Sequence, residues 1–187
     1  MKTVKYAVTY KEDAGRLELF IRWFWAIPSC IVLFILEIIG EFAMFFQFLH
    51  ILILGKRNDM FNKGISMFMS YSVNFASYFY FLTDERNPLM PGEAMKSVKF
   101  DVTYKEEASR LELFIRWFWA IPSYIVFVIL AIIGVIAIGL QFLHILILGK
   151  RNETLNKGVM MYLSYAFDFM GYFFLLTDER NPLMPEY

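Results

Sequence analysis

The sequence predicts an all-α integral membrane protein with four transmembrane helices, arranged as two tandem parallel repeats. Hydrophobic residues make up 58% of the chain and aromatic residues 19%, and the mean hydropathy is +0.48. These values exceed the averages of soluble domains, which could not bury so much apolar surface in 187 residues. Residues 1–93 also align with residues 95–187 without a gap, and about two thirds of the aligned pairs are identical. The ranges 1–93 and 95–187 are therefore two copies of one predicted membrane module.

Composition and charge also limit the classes of function that the chain could have. The net charge is zero, so nothing indicates a nucleic-acid partner. Cys30 is the single cysteine, which excludes an intramolecular disulfide. The first residues of the chain are polar and alternating, unlike the basic start and apolar core of a secretory leader, so we expect the N-terminus to be retained.

Each copy is predicted to begin with a short strand, at Val4–Tyr10 in the first copy and from Val98 in the second, because β-branched and polar residues alternate there. Residues Asp13–Ala26 carry charged side chains among leucines and two tryptophans, which predicts an amphipathic helix at the level of the lipid headgroups. This helix would turn into the membrane at Pro28. Alternatively, the segment is the outer end of the following membrane span.

The stretch Ile27–Leu54 is predicted to cross the membrane as one long tilted helix. As a helix it would extend roughly 42 Å, against a hydrocarbon core of roughly 30 Å. A re-entrant hairpin broken near Gly40 is the alternative, although lipid-exposed backbone at the bend would be costly. Gly55–Asn58 then forms a predicted basic turn, after which Phe61–Leu82 crosses back as the second predicted span. The charged residues and the proline of Thr83–Pro88 end this second helix.

Two crossings in each copy would place both copies in the same orientation, related by a pseudo-twofold axis along the membrane normal. In that arrangement the N-terminus, the connector between the copies and the C-terminus share one side of the membrane. This side carries more lysine and arginine than the Gly-Lys-Arg turns on the other side, which favours a cytoplasmic N-terminus.

Several segments recur in both copies, and in the first copy they are Gln47–Leu49, Leu54–Asn58, Tyr78 and Phe81–Arg86, with prolines at 88 and 91. These segments resemble a known family, the bacterial membrane proteins with the domain of unknown function 4389, and Arg16–Pro28 resembles the longer version of that domain. The resemblance implies a location in the bacterial inner membrane but no activity. Most members carry one copy, which implies that this chain is a fused dimer. Glu37 falls where some members have a glutamate, whereas the second copy departs there with Ala131.

Glu37 and Glu41 lie one helical turn apart in the first predicted span, where charged carboxylates are costly and therefore often functional. They could handle protons or cations, or they could be protonated or hydrogen-bonded to a neighbouring helix. The second copy has Ala131 and Val135 at these positions, so a symmetric pathway cannot use both acids. Asp168 on the last predicted span places an acid on the other helix and indicates a shared polar interface.

His50 and His144 occupy matching positions, and the predicted axis could bring them onto opposite faces of a haem. The alternative is a histidine at the membrane interface, hydrogen-bonded to headgroups or to the nearby Gln47 and Gln141. We expect no bound cofactor and no metal.

Six basic residues are expected to contact lipid headgroups: Arg22, Arg116, Lys56, Arg57, Lys150 and Arg151. Arg22 and Arg116 could hold phosphate groups or could simply anchor the helix at the interface. The Gly-Lys-Arg-Asn turns lack the glycine spacing of a phosphate-binding loop. Cys30 becomes Tyr124 in the second copy and has no evident histidine partner, so nothing predicts nucleophilic catalysis.

The sequence therefore predicts a protein that is not an enzyme. The favoured function is that of an accessory or structural subunit, whose partners are the lipid bilayer and either other membrane-protein subunits or further copies of the chain. One alternative is a small proton or ion channel or transporter that uses the intramembrane carboxylates. The other is a haem-binding electron carrier.

Overall fold

Four helices and one two-stranded sheet make up the structure, a computed structural model that describes residues 3–184. Residues 1–2 and 185–187, which belong to the predicted copies 1–93 and 95–187, lie outside this range. The described elements of the first copy are β1 (Val4–Val8), α1 (Arg16–Leu54) and α2 (Asp59–Phe79). Those of the second copy are β2 (Val98–Val102), α3 (Arg110–Leu148) and α4 (Glu153–Phe173). The fold is mostly helical, as predicted, and each copy begins with a short strand.

The predicted headgroup-level helix and the first predicted span form a single element. α1 continues through Pro28 and Gly40 without interruption, so the segment before Pro28 is the outer end of a long helix. Its 39 residues extend roughly 58 Å at the usual rise per residue. Gly55 ends the helix with a left-handed φ of 70°, which glycine adopts at little cost, and its N–H donates to the Ile51 carbonyl.

Within residues 3–184, only α1 and α3 are long and apolar enough to cross a membrane, judged by length and composition alone. The structure thus contains two candidate spans rather than the predicted four. α2 and α4 are shorter and carry serine, asparagine and glycine among their apolar residues, which lowers their hydropathy. They are also well covered, since no residue of α2 from Gly64 onward is exposed.

The two copies run in opposite directions, which corrects the predicted parallel arrangement. Arg16 at the start of α1 donates from Nη2 to the carbonyl of Ile147 near the end of α3, at 2.6 Å. Arg110 at the start of α3 makes the equivalent bond to Ile53 near the end of α1, also at 2.6 Å. Because long helices that meet start-to-end at both ends must be antiparallel, the pseudo-twofold axis lies across α1 and α3 and not along them.

The connector between the copies makes this arrangement possible. Asp84, just after α2, lies beside Arg151, just before α4, and we call this part of the molecule the Asp84 end. Asp178, just after α4, lies beside Arg57, just before α2, and this is the Asp178 end. Residues 85–109 therefore run from one end to the other, with β2 covering part of the distance. The prediction was wrong because it assumed that the connector stays on one side of the helices.

Each end consequently carries one Gly-Lys-Arg turn and one Thr-Asp-Glu-Arg segment. The comparison of charge between two sides, which favoured a cytoplasmic N-terminus, assumed that these motifs lie on opposite sides. The antiparallel arrangement removes that charge difference and with it the argument for this orientation.

The sheet covers the two shorter helices. β1 and β2 pair antiparallel, with Val4 opposite Val102 and Val8 opposite Val98, and β1 packs on α4 while β2 packs on α2. Alternate side chains point inward, and the intervening ones are exposed: Lys5, Ala7, Lys99 and Asp101. The sheet thus has an apolar face toward the helices and a charged face away from them.

Two carboxylates attach the strands to the helix ends. Glu85 accepts hydrogen bonds from the N–H groups of Lys96 and Ser97, both at 2.8 Å. Glu179 accepts from the N–H and the hydroxyl of Thr3, both at 2.8 Å. Burial raises the pKa of Glu85, but hydrogen bonds from the side chain of Ser97 and from these two N–H groups lower it by more, so it lies below the ordinary value.

We expect this attachment to weaken in acid. A glutamate whose pKa is lowered by folding stabilises the folded state at every pH above its ordinary pKa. This stabilisation is lost as the pH falls through the folded-state pKa. Glu85→Gln should therefore lower the thermal midpoint at neutral pH and flatten the loss of stability between about pH 5 and pH 3. The control is Glu93→Gln, an exposed acid of the same connector. Equal acid slopes for Glu85→Gln and the unaltered protein would contradict the prediction.

Candidate functional site

The densest polar contacts in the structure form two equivalent clusters, one at each end. At the Asp84 end, the Asp84 carboxylate accepts from Arg22 of its own copy at 3.0 Å and from Arg151 of the other copy. At the other end, Asp178 accepts from Arg116 of its own copy at 3.2 Å and from Arg57 of the other. We call these the Asp84 cluster (Arg22, Asp84 and Arg151) and the Asp178 cluster (Arg116, Asp178 and Arg57). Each cluster joins the two copies.

In each cluster, the arginine that comes from the other copy also donates hydrogen bonds to three backbone carbonyls. Arg151 donates from Nε to the carbonyl of Phe81 at 2.7 Å, and from Nη1 to the carbonyls of Asp13 at 2.7 Å and Lys11 at 3.2 Å. Its planar, forked donors therefore hold three chain segments at once. Arg57 makes the same pattern at the Asp178 end, where burial lowers its pKa and the Asp178 carboxylate opposes that shift.

Both crossing arginines stabilise an unusual backbone conformation. Phe81 and Leu175, at matching positions after α2 and α4, each have a left-handed φ of 66°. For a residue with a side chain this conformation costs roughly 1–2 kcal/mol. Their carbonyls accept from Nε of Arg151 and of Arg57, respectively. The bend that follows each short helix is thus held by the other copy.

The second arginine of each cluster lies against aromatic rings. The guanidinium carbon of Arg22 is 4.6 Å from the ring centre of Tyr78 and 4.8 Å from that of Phe81. Arg116 lies 4.4 Å from the Tyr172 ring, but Leu175 stands where the first copy has Phe81. Cation–π attraction is strongest for a desolvated cation such as these. The two clusters therefore share their ion pairs and differ in one aromatic contact.

A second layer of contacts surrounds each cluster. Glu18 accepts from the Tyr78 hydroxyl at 2.6 Å and from Nε of Arg86 at 3.0 Å. Trp25, whose ring lies below the Arg86 guanidinium, donates to the carbonyl of Asn87 at 2.8 Å. The second copy repeats the arrangement with Glu112, Tyr172, Arg180, Trp119 and Asn181.

The four arginines expected to contact lipid headgroups therefore lie inside the protein. Arg22, Arg57, Arg116 and Arg151 are only 1–3% exposed, because the aspartates of the Thr-Asp-Glu-Arg segments draw them inward. Lys56 and Lys150 remain at the surface, where they pair with Glu106 at 2.9 Å and Glu12 at 3.0 Å of the other copy. Contact of these two lysines with headgroups stays a prediction.

The acids of the clusters were missed by the sequence reasoning, which treated Asp84 and Asp178 only as charges that end a helix. A signal for them exists in the repeat. The longest identical blocks of the first copy are Arg16–Ser29, Gln47–Asn58 and Leu82–Pro91. These blocks supply the cluster residues, so identity between the copies marks the segments through which the copies contact each other.

Glu37 and Glu41 lie elsewhere, exposed near the middle of α1. Neither carboxylate has a hydrogen bond or an ion pair with another residue in the range 3–184. Asp168 is on α4 and lines cavities beside β1 that contain neither glutamate. The structure does not bring the three acids into one interior path, which the channel alternative requires.

The two glutamates continue the face of α1 that packs on α3. At helical spacing they are followed by Met44, Phe48 and Ile51, which cluster with Leu113 of α3. Toward the other end of α1, Leu19 clusters with Ile145 of α3. Glu37 and Glu41 are therefore exposed between two points at which α1 and α3 touch.

The remaining candidates have local roles. Oε1 of Gln47 accepts from the N–H of Asn58 at 3.0 Å, and Gln141 does the same for Asn152 at 3.2 Å, so these buried amides hold the turns. Nδ1 of His50 is 2.7 Å from the carbonyl of Lys56.

The two histidines lie at opposite ends of the molecule, because α1 and α3 are antiparallel and each histidine is close to the end of its own helix. The predicted axis would have brought His50 and His144 together, whereas the observed axis separates them by most of a helix length. One haem therefore cannot be bound by both imidazoles.

The clusters are suited to holding the chain together. Both oxygens of the Asp84 carboxylate have partners, since the second oxygen accepts from the N–H of Gly15 at 2.9 Å. No group of three histidine, cysteine, aspartate or glutamate side chains in the described chain could hold a metal ion. Cys30 is exposed on α1, away from both clusters.

Comparison with known families matches two parts of the chain, residues 16–89 and residues 110–183, to the domain of unknown function DUF4389. The matches include all four helices and the acids and arginines of both clusters, and they leave out β1 and β2. No curated protein and no solved structure matches the chain significantly. Because the matches cover most of its length, the chain belongs to the DUF4389 family and carries two tandem copies of its domain.

Proposed function

We propose that this chain is a non-enzymatic membrane protein that serves as an accessory subunit of a larger membrane complex. Membrane attachment is supported by α1 and α3, which carry most of the exposed large hydrophobic side chains. Soluble monomers rarely expose apolar patches of more than a few hundred Å². The bacterial inner membrane is the membrane we propose, following the motifs that the copies share with bacterial membrane proteins.

The observation that carries the accessory role is the pair Glu37 and Glu41. In a lipid environment an unpartnered carboxylate is costly, and these two are exposed on a face that is otherwise apolar. The matching face of α3 has Ala131 and Val135 and needs no such partner. A helix of another membrane protein that carries lysine, arginine or hydroxyl donors would satisfy the two acids. We therefore propose that the partner protein contacts this face of α1 and that lipid contacts the matching face of α3.

Photo-crosslinking in native membranes tests this proposal with a matched pair of positions. A photoreactive amino acid replaces Ile38, beside the glutamates, or its equivalent Ile132 on α3, and both side chains are exposed. We expect Ile38 to crosslink to a different membrane protein and Ile132 to lipid alone. Glu37→Gln with Glu41→Gln should reduce the protein adduct at least several-fold, because neutral amides bind a cationic partner less strongly.

Three results would count against the accessory role. Protein adducts of equal yield from Ile38 and Ile132 would remove the distinction between the two faces. An adduct that the double glutamine variant leaves unchanged would show that the acids do not recognise the partner. An adduct of the chain only with itself would indicate a homo-oligomer instead.

A further inference from the structure

The position of the sheet limits the orientations that the chain can adopt in a membrane. If α1 and α3 crossed a bilayer, the Asp84 end and the Asp178 end would lie on opposite sides. Residues 85–109 would then have to cross as well, since they connect the two ends. β2 would carry Lys99 and Asp101, both exposed, through the hydrocarbon region.

The sheet would also place unpaired backbone groups in lipid. With only two strands, each strand has one edge whose N–H and C=O groups have no strand partner. Such groups cost several kcal/mol each in hydrocarbon, where open sheet edges do not occur. A crossing orientation is therefore incompatible with the connector that the structure shows.

We infer that α1 and α3 lie in the plane of the membrane, embedded in a single leaflet, with the sheet on the water side. The inference rests on the membrane attachment proposed above but not on the accessory role. Apart from the part of α1 beside Glu37 and Glu41, where the accessory partner is proposed to bind, the apolar face of both long helices has one partner, the acyl chains and headgroups of that leaflet. The protein would then lie on one side of the membrane and cross it nowhere between residues 3 and 184.

The packing of the elements supports this orientation. The sheet packs on α2 and α4, whereas α1 and α3 contact each other and pack on the shorter helices. The apolar face of α1 and α3 is thus separated from the charged face of the sheet by the layer of α2 and α4. Molecules with one apolar and one charged side bind at a membrane surface in this manner.

The pattern along α1 is that of a helix lying in an interface. Its exposed apolar side chains recur every three or four residues and form one continuous stripe: Phe20, Phe24, Ile27, Ile31, Phe34, Ile38, Phe42 and Phe45. Roughly 58 Å of helix exceeds the thickness of a bilayer core, but an in-plane helix has no such limit. Trp23 and Trp117 are exposed near opposite ends of this layer, where indole rings prefer the headgroup region.

Cysteine accessibility in sealed vesicles tests the inference. In the full chain, Cys30→Ser removes the single cysteine, and new cysteines replace Lys56, Lys150 or Glu93 one at a time. Lys56 and Lys150 are matched positions of similar exposure, at the Asp178 end and the Asp84 end respectively, and Glu93 lies in the connector. A membrane-impermeant maleimide is added to vesicles of each orientation.

We expect all three cysteines to react from the same side and none from the other. Labelling of position 56 from one side and of 150 and 93 from the other would overturn the inference in favour of an antiparallel crossing. Labelling of 56 and 150 from one side and of 93 from the other would overturn it in favour of parallel crossing. Absence of labelling from both sides would also contradict it.

Extraction of the membranes with alkaline carbonate separates this inference from the proposed function. If the chain leaves the membrane, it is not embedded in the hydrocarbon, so the in-plane orientation fails and the proposed function loses the membrane attachment on which it rests. If the chain stays and the cysteines react from opposite sides, only the in-plane orientation is wrong.

Discussion

Arg151→Met is expected to lower the free energy of unfolding by about 3–5 kcal/mol, the usual loss when one partner of a buried ion pair is removed. Methionine fills much of the same space but donates no hydrogen bonds. The carbonyls of Phe81, Asp13 and Lys11 would lose this donor, and Asp84 would lose one of its two arginine partners and keep Arg22. The left-handed bend at Phe81 would lose the bond that holds it.

Two comparisons make this prediction specific. Arg57→Met should cost about the same as Arg151→Met, because the two arginines occupy equivalent positions, whereas Lys150→Met should change stability little. Arg151→Lys keeps the charge but not the forked donors, and it should give an intermediate loss if the methionine variant does not fold. Denaturant unfolding in mild detergent measures the effect. A loss for Arg151→Met no larger than that for Lys150→Met would contradict the prediction.

Gly134→Ala is expected to cost about 1–3 kcal/mol, the usual effect of adding a methyl group to a filled contact. A Cβ at Gly134 would lie 2.6 Å from Cγ and 2.7 Å from Cβ of Tyr162, closer than real Cβ contacts. Because the Cβ of Tyr162 is attached directly to the backbone of α4, a change of side-chain rotamer cannot relieve the clash. α3 and α4 would have to separate.

The matched control lies in the same helix. A Cβ at Gly139 would meet nothing within 4 Å, so Gly139→Ala should stabilise the protein by roughly 0.5–1 kcal/mol through its effect on helix propensity. Gly40→Ala, at 3.1 Å from Phe68, should fall between the two. Thermal unfolding of the three variants tests the order. A Gly134→Ala variant as stable as the unaltered protein, or more stable, would show that the contact between α3 and α4 is looser than described.

Local features of the chain were predictable because they depend on residues close together in sequence. The strand at Val4–Val8 follows from alternation, and the end of α1 follows from a glycine and a basic turn after a long apolar run. Asn58 and Asn152 begin the return helices by accepting from their first N–H groups, as asparagine commonly does at this position. The repeat made the predictions of the strand and of the helix end twice, whereas the asparagine caps were not predicted.

The relative direction of the copies could not be predicted in this way. Parallel and antiparallel pairs of the same module have the same hydropathy profile, and the choice depends on contacts between distant residues such as Arg57 and Asp178. A single sequence offers several acids that could pair with Arg57, and nothing local selects Asp178. The clusters were missed for the same reason, since their members are ordinary helix-end residues until the copies are brought together.

The reciprocal clusters also affect how the protein is made. Arg57 and Asp178 are 121 residues apart, so the first copy leaves the ribosome long before the acid that it needs has been synthesised. Until then, the bend at Phe81 and the charge on Arg57 lack their partners, and folding of the first copy stays incomplete. A chain cut short before residue 178 would keep this open, apolar intermediate, the kind of species that aggregates or is bound by chaperones. The native contacts of the first copy therefore cannot be completed until Asp178 has been synthesised.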